Sequence, residues 1–175
     1  MPVVPWRTAK AHRGSGNCFA GMKRELFVDT GLLAVHLLHA GAQPSLLERL
    51  AMEATLFTSV LNATELLGAV TSDDERFQVE SVLGGLHVLG FHQRYARRFG
   101  ALAKGRTDAA HLRDCMIAGC CLESGLPLVT GDAKRYEAFP HLMVINETEL
   151  KAGCEWTRVE SLISGREHGA AGTGR

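Results

Sequence analysis

Residues 26–33 read Leu-Phe-Val-Asp-Thr-Gly-Leu-Leu, and this stretch indicates the fold class. The three apolar residues at its start form a short bounded run, which is typical of a buried strand. Apolar residues at helical spacing follow from Gly31, and they predict a helix over residues 31–40 that ends near Gly41. Asp29 therefore stands where a buried strand passes into a helix, as at the first strand–helix unit of an α/β domain.

The same alternation of strands and helices continues along the chain. Further strands are predicted at residues 56–59, 87–89, 126–130 and 141–145. Further helices are predicted from Pro44, over 63–70, from the Ser72 capping box toward Leu83, over 93–103 and 112–124, with a helical turn near 134–139. Strands that alternate with helices predict an α/β fold, here an α/β/α sandwich around a short parallel sheet.

Length and composition limit the class of protein. The chain has 175 residues, of which 46% are hydrophobic, as expected for one globular domain with a good core. Lys plus Arg and Asp plus Glu both number 19, so the net charge is zero and binding of nucleic acid would need a local basic patch. The five cysteines are odd in number and form no C-x-x-C motif, which argues against a disulfide framework or zinc knuckle.

The distribution of apolar and polar residues also predicts the cellular location and the domain limits. No apolar stretch is long enough for a membrane helix, and no signal-peptide core is seen, so we expect a cytoplasmic protein without a membrane contact. Residues 1–24 are expected to form a flexible N-terminal extension, 25–147 the folded domain, and 148–175 a C-terminal extension with a flexible end. Met22 is a hypothetical alternative or native initiator, because the first strand begins soon after it.

Four acids lie at the edges of apolar segments, namely Asp29, Glu65, Asp114 and Asp132. Asp29 and Asp132 follow predicted strands, and in a parallel sheet ligands collect at the carboxyl ends of the strands. Glu65 and Asp114 lie in or at the start of helices that would approach the same edge. Clustered carboxylates repel each other unless a cation neutralises them, and oxygen ligands suit Mg²⁺ or Mn²⁺. We expect Asp29 and Asp114 as the core ligands, with Glu65 and Asp132 acting directly or through water.

Four stretches resemble the motifs of PIN-domain nucleases, and most of all those of VapC toxins: residues 26–33, 58–66, 114–119 and 128–132. The resemblance spans residues 25–146. It implies a PIN-like α/β/α sandwich and a Mg²⁺-dependent endoribonuclease that acts on RNA, is neutralised by an antitoxin protein and often forms a homodimer.

The resemblance also assigns residues to the site. The four acids match the catalytic and metal-binding acids of the family one by one. Ser59 and Thr130 match its small hydroxyl positions, and Thr30 is a further candidate for a supporting role. Cys115 and the pair Cys120-Cys121 depart from the family pattern, in which aliphatic residues or alanine are expected.

Other interpretations stay open at this point. Each acid taken alone is more typical of a helix cap, a solvated helix residue or a turn, and only the order of all four favours a metal site. If the four acids only cap helices or face solvent, the protein is a non-catalytic interaction module. A nuclease of RNA processing, outside a toxin–antitoxin pair, is a third possibility.

Two surface features could bind partners. Arg94, Arg97 and Arg98 are spaced to share one helix face and could contact RNA phosphates, although a solvated face explains them as well. Leu46, Leu47 and Leu50 form an apolar face that belongs either to the core or to the binding site of an antitoxin helix.

Overall fold

The structure of this chain is a computed structural model that describes residues 24–105 and 108–151. The expectations about residues 1–23 and 152–175, including the Met22 initiator and most of both extensions, lie outside the described residues. Within the described ranges, no helix has both the length and the apolar character that crossing a bilayer requires.

A sheet of five parallel strands forms the centre of the fold, in the order β3-β2-β1-β4-β5. Its strands are β1 (Glu25–Val28), β2 (Thr55–Ser59), β3 (His87–Leu89), β4 (Leu128–Thr130) and β5 (Val144–Asn146). In its register, Leu26 pairs with Leu56 of β2, and Phe27 pairs with Leu128 of β4. The chain therefore builds outward from β1 to β3 and then returns to add β4 and β5 on the other side of β1.

The helices connect these strands and cover the sheet. They are α1 (Thr30–Leu37), α2 (Leu46–Glu53), α3 (Val60–Ala69), α4 (Asp73–Gly84), α5 (Ala96–Leu102), α6 (Ala109–Ser124) and α7 (Glu147–Lys151), with short 3-10 helices at Gln93–Tyr95 and Ala133–Tyr136. Side-chain caps fix several helix starts, as in the capping box of Ser45 and Glu48 before α2. Gly125 ends α6 in the left-handed region, at φ 69°.

Two apolar cores lie on opposite faces of the sheet. Leu26 and Val28 point to one face and pack with residues of the layer formed by α1 to α4. Phe27, between them, points to the other face and packs with α6 and the segment after β4. Alternate residues of one strand thus enter different cores, which is why Leu26, Phe27 and Val28 are all apolar, whereas Glu25 at the start of β1 is exposed. The predicted α/β/α sandwich around a parallel sheet is confirmed.

Several predicted boundaries shift. Helix α6 begins at Ala109 and is capped by Asp108, whose carboxylate accepts from the His111 N–H at 2.9 Å, so Asp114 lies in the second turn rather than at the helix start. Helix α3 begins directly after Ser59 and not at residue 63. Helix α7, which the sequence pattern did not predict, follows β5 without a loop and places Leu150 in the core.

The apolar face of α2 is part of the core. Leu46, Leu47 and Leu50 are at most 8% exposed and pack with residues of α1 and the sheet. They are therefore not a free surface for a partner helix, and the core interpretation of this face is the correct one.

Candidate metal and catalytic site

The candidate site lies where the order of the strands reverses. From β1 the chain proceeds to β2 on one side, whereas β4 returns to the other side of β1. Helix α1, which follows β1, and the segment that follows β4 pack on opposite faces of the sheet. In folds of this kind, ligands bind at the carboxyl ends of the strands at such a point. Asp29 is the first residue after β1, and Thr130 is the last residue of β4.

Asp29 is held on several sides. Its side chain is the cap of α1, and Oδ1 accepts from the Thr30 backbone N–H at 2.8 Å. Oδ2 accepts from the Thr130 hydroxyl at 3.0 Å and from the Tyr136 hydroxyl at 3.4 Å. The residue is 6% exposed, so its carboxylate is fixed by buried donors rather than by solvent.

Arg113 joins Asp29 to two other predicted acids. Its Nη2 donates to Asp29 Oδ1 and to Glu65 Oε2, both at 3.0 Å, and its Nε donates to Glu65 Oε1. Its Nη1 donates to Asp114 Oδ1 at 3.2 Å. Strand β1 and helices α3 and α6 thus bring Asp29, Glu65 and Asp114 to one guanidinium. These three acids are called the carboxylate cluster below.

A second arginine neutralises the cluster further. Arg135 donates two hydrogen bonds to Asp114, from Nη2 to Oδ1 at 2.6 Å and from Nε to Oδ2 at 3.2 Å. Partial burial by itself raises the pKa of Glu65, but the hydrogen bonds from Arg113 and Thr30 hold that pKa below its ordinary value. Glu65 is therefore ionised at neutral pH.

Arg113 and Tyr136 keep their protons within this cluster. Burial alone lowers the pKa of Arg113, but the hydrogen bond to Glu65 and the charge of Asp29 raise it above its ordinary value. Burial, reinforced by the charge of Asp29, raises the pKa of Tyr136, so its hydroxyl stays a neutral donor.

The fourth predicted acid, Asp132, lies apart from the carboxylate cluster. Its side chain is exposed and makes no hydrogen bond or ion pair with the residues that the structure describes. Its backbone N–H donates to the Thr130 hydroxyl at 3.2 Å. That hydroxyl in turn donates to Asp29, so Thr130 connects the two aspartates. Beside it, a Cβ added to Gly131 would lie 3.1 Å from the carboxyl carbon of Glu147, an acid that sequence reasoning did not consider.

The predicted supporting hydroxyls have separate structural tasks. The Thr30 hydroxyl donates to Glu65 Oε2, which orients that carboxylate. The Ser59 hydroxyl is buried and caps α3 by accepting from the Asn62 N–H at 3.2 Å. The Asn62 side chain then donates to the Val28 carbonyl at 3.1 Å and so ties α3 to the end of β1.

The three arginines proposed to contact RNA are exposed but do not share one regular helix face. Arg94 lies in the 3-10 helix and donates to the Tyr95 hydroxyl at 2.9 Å, whereas Arg97 and Arg98 lie in α5. Arg98 pairs with Glu123 of α6 at 2.7 Å. Contact with RNA by this group stays a prediction.

Sequence reasoning missed Arg113, Arg135 and Tyr136. Arg113 directly precedes Asp114, and the other two lie in the turn predicted after Asp132. Their nearness to predicted acids was the available signal, but it does not show which side chain turns inward. That depends on how α6 and the segment after β4 pack against β1.

The donor chemistry of the carboxylate cluster fits a hard divalent cation. Carboxylate oxygens are the ligands that Mg²⁺ and Mn²⁺ prefer, and Asp29 and Asp114 are both nearly buried. In the ranges 24–105 and 108–151, no three acid, histidine or cysteine side chains surround a common point as a ready metal site. The guanidinium of Arg113 lies between the carboxylates and contacts all three.

A surface cavity of about 290 Å³ lies elsewhere, next to the end of α1. Its lining includes His36, His39 and Glu48 but none of the four predicted acids. This cavity is therefore separate from the candidate site.

Comparison with known proteins agrees with the observed fold. The family model described as PIN domain matches residues 26–140. No curated protein matches this chain. A VapBC2 structure from Rickettsia felis, bound to a promoter DNA fragment, is similar at 20% identity and a TM-score of 0.58, covering 70% of this chain and 98% of that chain.

Two further solved structures show the same similarity of fold. VapBC-1 from nontypeable Haemophilus influenzae has 18% identity and a TM-score of 0.58, over 71% of this chain and 98% of that chain. A DNA-bound VapBC from Salmonella typhimurium has 23% identity and a TM-score of 0.54, with the same coverage.

Proposed function

Because this chain belongs to the PIN domain family, we propose that it is a Mg²⁺-dependent endoribonuclease that hydrolyses phosphodiester bonds of RNA. One observation carries the proposal: Asp29, Glu65 and Asp114 come from separate elements and converge at the carboxyl edge of the sheet. An acidic site at this edge is where an α/β fold binds ligands, and PIN domains are a family of nucleases.

In this proposal each acid has its own role. Asp29 and Asp114 hold Mg²⁺ or Mn²⁺, which supplies charge stabilisation at the phosphoryl oxygens. Glu65, ionised and oriented by Thr30, holds the ion or accepts a proton from the attacking water. Asp132 completes the acidic ring from its exposed position.

The remaining predicted residues support these acids. Thr130 fixes Asp29 through its hydroxyl, and Ser59 secures the start of the helix that carries Glu65. Arg94, Arg97 and Arg98 contact RNA phosphates and supply the local positive charge that the neutral chain lacks as a whole.

We further propose that the chain is the toxin of a VapBC-type pair. The similar structures include VapBC complexes, and this likeness of fold supports an antitoxin protein as partner. The proposal includes a cytoplasmic location, a homodimer and a nuclease domain over residues 25–147, with extensions on either side.

The direct test is incubation with total RNA, with and without Mg²⁺. We expect Mg²⁺-dependent cleavage by the wild type and none by Asp114→Asn. Asp74→Asn is the matched control. Asp74 is exposed at the start of α4, so this substitution removes the same charge at a position outside the site. Cleavage that survives in Asp114→Asn would remove the role assigned to this residue.

One observation favours the alternative of a non-catalytic module. Every member of the carboxylate cluster already has partners within the fold, as a purely structural acid also would. Melting with and without millimolar Mg²⁺ separates the two, because a ligand that binds only the folded state raises the melting temperature. A rise in the wild type that is lost in Asp29→Asn supports the enzyme, and no rise supports the module.

A nuclease of RNA processing differs from a toxin in its partner. If the chain is a toxin, its expression alone should stop bacterial growth. Coexpression with a small DNA-binding protein encoded beside its gene should restore growth. Growth that is unaffected by active protein would favour RNA processing.

A further inference from the structure

Arg113 is the one side chain, among the described residues, that contacts every member of the carboxylate cluster. It also donates to the hydroxyls of Thr30 and Tyr136, at 3.3 Å in both cases. A guanidinium offers five N–H donors in a fixed plane, and here they point to three acids at once. The cation that this cluster binds in the structure is therefore part of its own chain.

The hydrogen-bond acceptor sites of the Asp29 carboxylate are all occupied. An ionised carboxylate offers about four lone-pair sites. The structure fills them with the Thr30 N–H, the Arg113 guanidinium and the hydroxyls of Thr130 and Tyr136. A metal ion that binds Asp29 must therefore replace one of these donors.

Arg113 is the donor that can leave. The Thr30 N–H is fixed in the backbone at the start of α1, and the Thr130 and Tyr136 side chains are almost fully buried. The Arg113 side chain is 18% exposed and lies on a flexible stem, so its guanidinium can move to solvent.

Electrostatic repulsion makes this departure necessary. A bound Mg²⁺ would contact a carboxylate oxygen of Asp29 directly, and Arg113 Nη2 lies 3.0 Å from Oδ1 of that carboxylate. Two positive groups on one oxygen repel each other strongly in a partly buried site. The guanidinium and the metal ion therefore compete for the same place.

We propose that Arg113 is an internal counterion that competes with the divalent cation, and that metal binding requires its guanidinium to leave Asp29, Glu65 and Asp114. The inference rests on the proposed function, since it presumes a metal at this cluster. It adds that the metal-free protein holds its acids in place with its own positive charge. Affinity for the metal is lowered by the free energy needed to displace Arg113.

The test is calorimetric titration of the metal-free, full-length protein with MnCl₂. Arg113→Met keeps an unbranched chain but removes the charge, and it should bind Mn²⁺ at least about tenfold more tightly than the wild type. Arg76→Met is the matched control, because Arg76 is exposed on α4 and has no contact with the cluster. Its affinity should stay within about twofold of the wild type.

The outcomes separate this inference from the proposed function. If Arg113→Met binds Mn²⁺ as the wild type does, or more weakly, the competition does not exist, although the metal site stands. If no protein binds Mn²⁺ at millimolar concentration, the metal site and the inference both fail.

A second measurement needs no variant, so it decides the question even if Arg113→Met does not fold. The Nε–H of Arg113 donates to Glu65 in the metal-free protein and should give a shifted, slowly exchanging ¹H–¹⁵N signal, assigned from the backbone of Arg113. Saturating Mg²⁺ should move this signal to the position of a solvated arginine and speed its exchange with water. A signal that Mg²⁺ leaves unchanged would overturn the proposal.

Discussion

Asp29 and Asp132 both lie just beyond the carboxyl ends of strands that are neighbours in the sheet, yet their surroundings differ. Asp29 caps a helix that starts at once, is 6% exposed and accepts from donors of three other elements. Asp132 follows Gly131 into a short 3-10 helix and leaves its carboxylate exposed. A place at a strand end therefore brings an acid near the site, but the elements packed around it decide whether the carboxylate is held.

This difference predicts a division of work among the acids. A carboxylate that buried donors hold in one position can bind a metal ion with little loss of conformational freedom. An exposed carboxylate must first be ordered, and solvent screens its charge. Asp29 and Asp132 should therefore differ in their effects on both catalysis and stability.

Substitutions of Asp29 and of Asp132 should differ most in their effect on the rate of RNA cleavage with Mg²⁺. Asp29→Asn keeps the shape of the side chain but removes its charge, and we expect cleavage to fall about 10³-fold, as for several kcal/mol of lost transition-state stabilisation. Asp132→Asn should lose no more than about tenfold, because an exposed charge contributes less. Initial rates on a fluorogenic RNA measure both, and equal losses would end the distinction.

The next difference concerns the free energy of unfolding in metal-free buffer. Asp29→Ala removes the cap of α1 and leaves Arg113 partly buried without one of its acids, so we expect a loss of about 3 kcal/mol. Asp132→Ala should change stability by no more than about 0.5 kcal/mol. Urea unfolding followed by circular dichroism measures both, and a loss in Asp132→Ala as large as in Asp29→Ala would contradict this account.

The same contrast shows what the sequence could predict. Asp29 was predictable because its context is local: an apolar strand, an acid and helix-forming residues follow one another. The sheet was predictable because each strand is short and apolar and alternates with helices. Asp114 was placed in the correct helix, but the Asp108 cap moved the helix start by three residues and Asp114 into the second turn.

Arg113 could not be predicted, because its role depends on tertiary contacts. The chain has 19 lysines and arginines, and no local pattern distinguishes the one whose guanidinium meets three acids from distant parts of the sequence. The exposure of Asp132 has a similar cause, since the turn after β4 sets its direction. The sequence singled out the three acids of the carboxylate cluster, but it did not show which side chains contact them.

Thr130 connects the two aspartates, and its removal should have a moderate effect. Its buried hydroxyl donates to Asp29 and accepts from the Asp132 N–H, so Thr130→Val leaves both groups without this partner. We expect a loss of about 1–2 kcal/mol in the free energy of unfolding and weaker Mn²⁺ binding.

Thr64→Val is the control for Thr130→Val. Thr64 is exposed, and its hydroxyl donates only within α3, to the Val60 carbonyl at 2.7 Å. The control should change stability by less than about 0.5 kcal/mol. If both variants lose the same stability in urea unfolding, the hydroxyl of Thr130 does not hold Asp29 in place.

The smallest effect should come from Gly131→Ala, which tests whether the segment that carries Asp132 is loosely packed. The new methyl group would lie 3.1 Å from the carboxyl carbon of Glu147, at the end of a flexible side chain that would have to move by a few tenths of an ångström. We expect stability to change by less than about 0.5 kcal/mol, since the smaller entropy of the unfolded chain offsets the contact.

Gly119→Ala is the reference for the stability change of Gly131→Ala, because it adds the same methyl group in tightly packed surroundings. Its methyl group would lie 2.3 Å from the ring of Phe99, where α5 packs against α6, and should cost about 1–3 kcal/mol. Thermal unfolding of both variants gives the comparison. If Gly131→Ala costs as much as Gly119→Ala, the segment around Asp132 is as rigid as the packed helices, and its exposure would not explain a smaller role in metal binding.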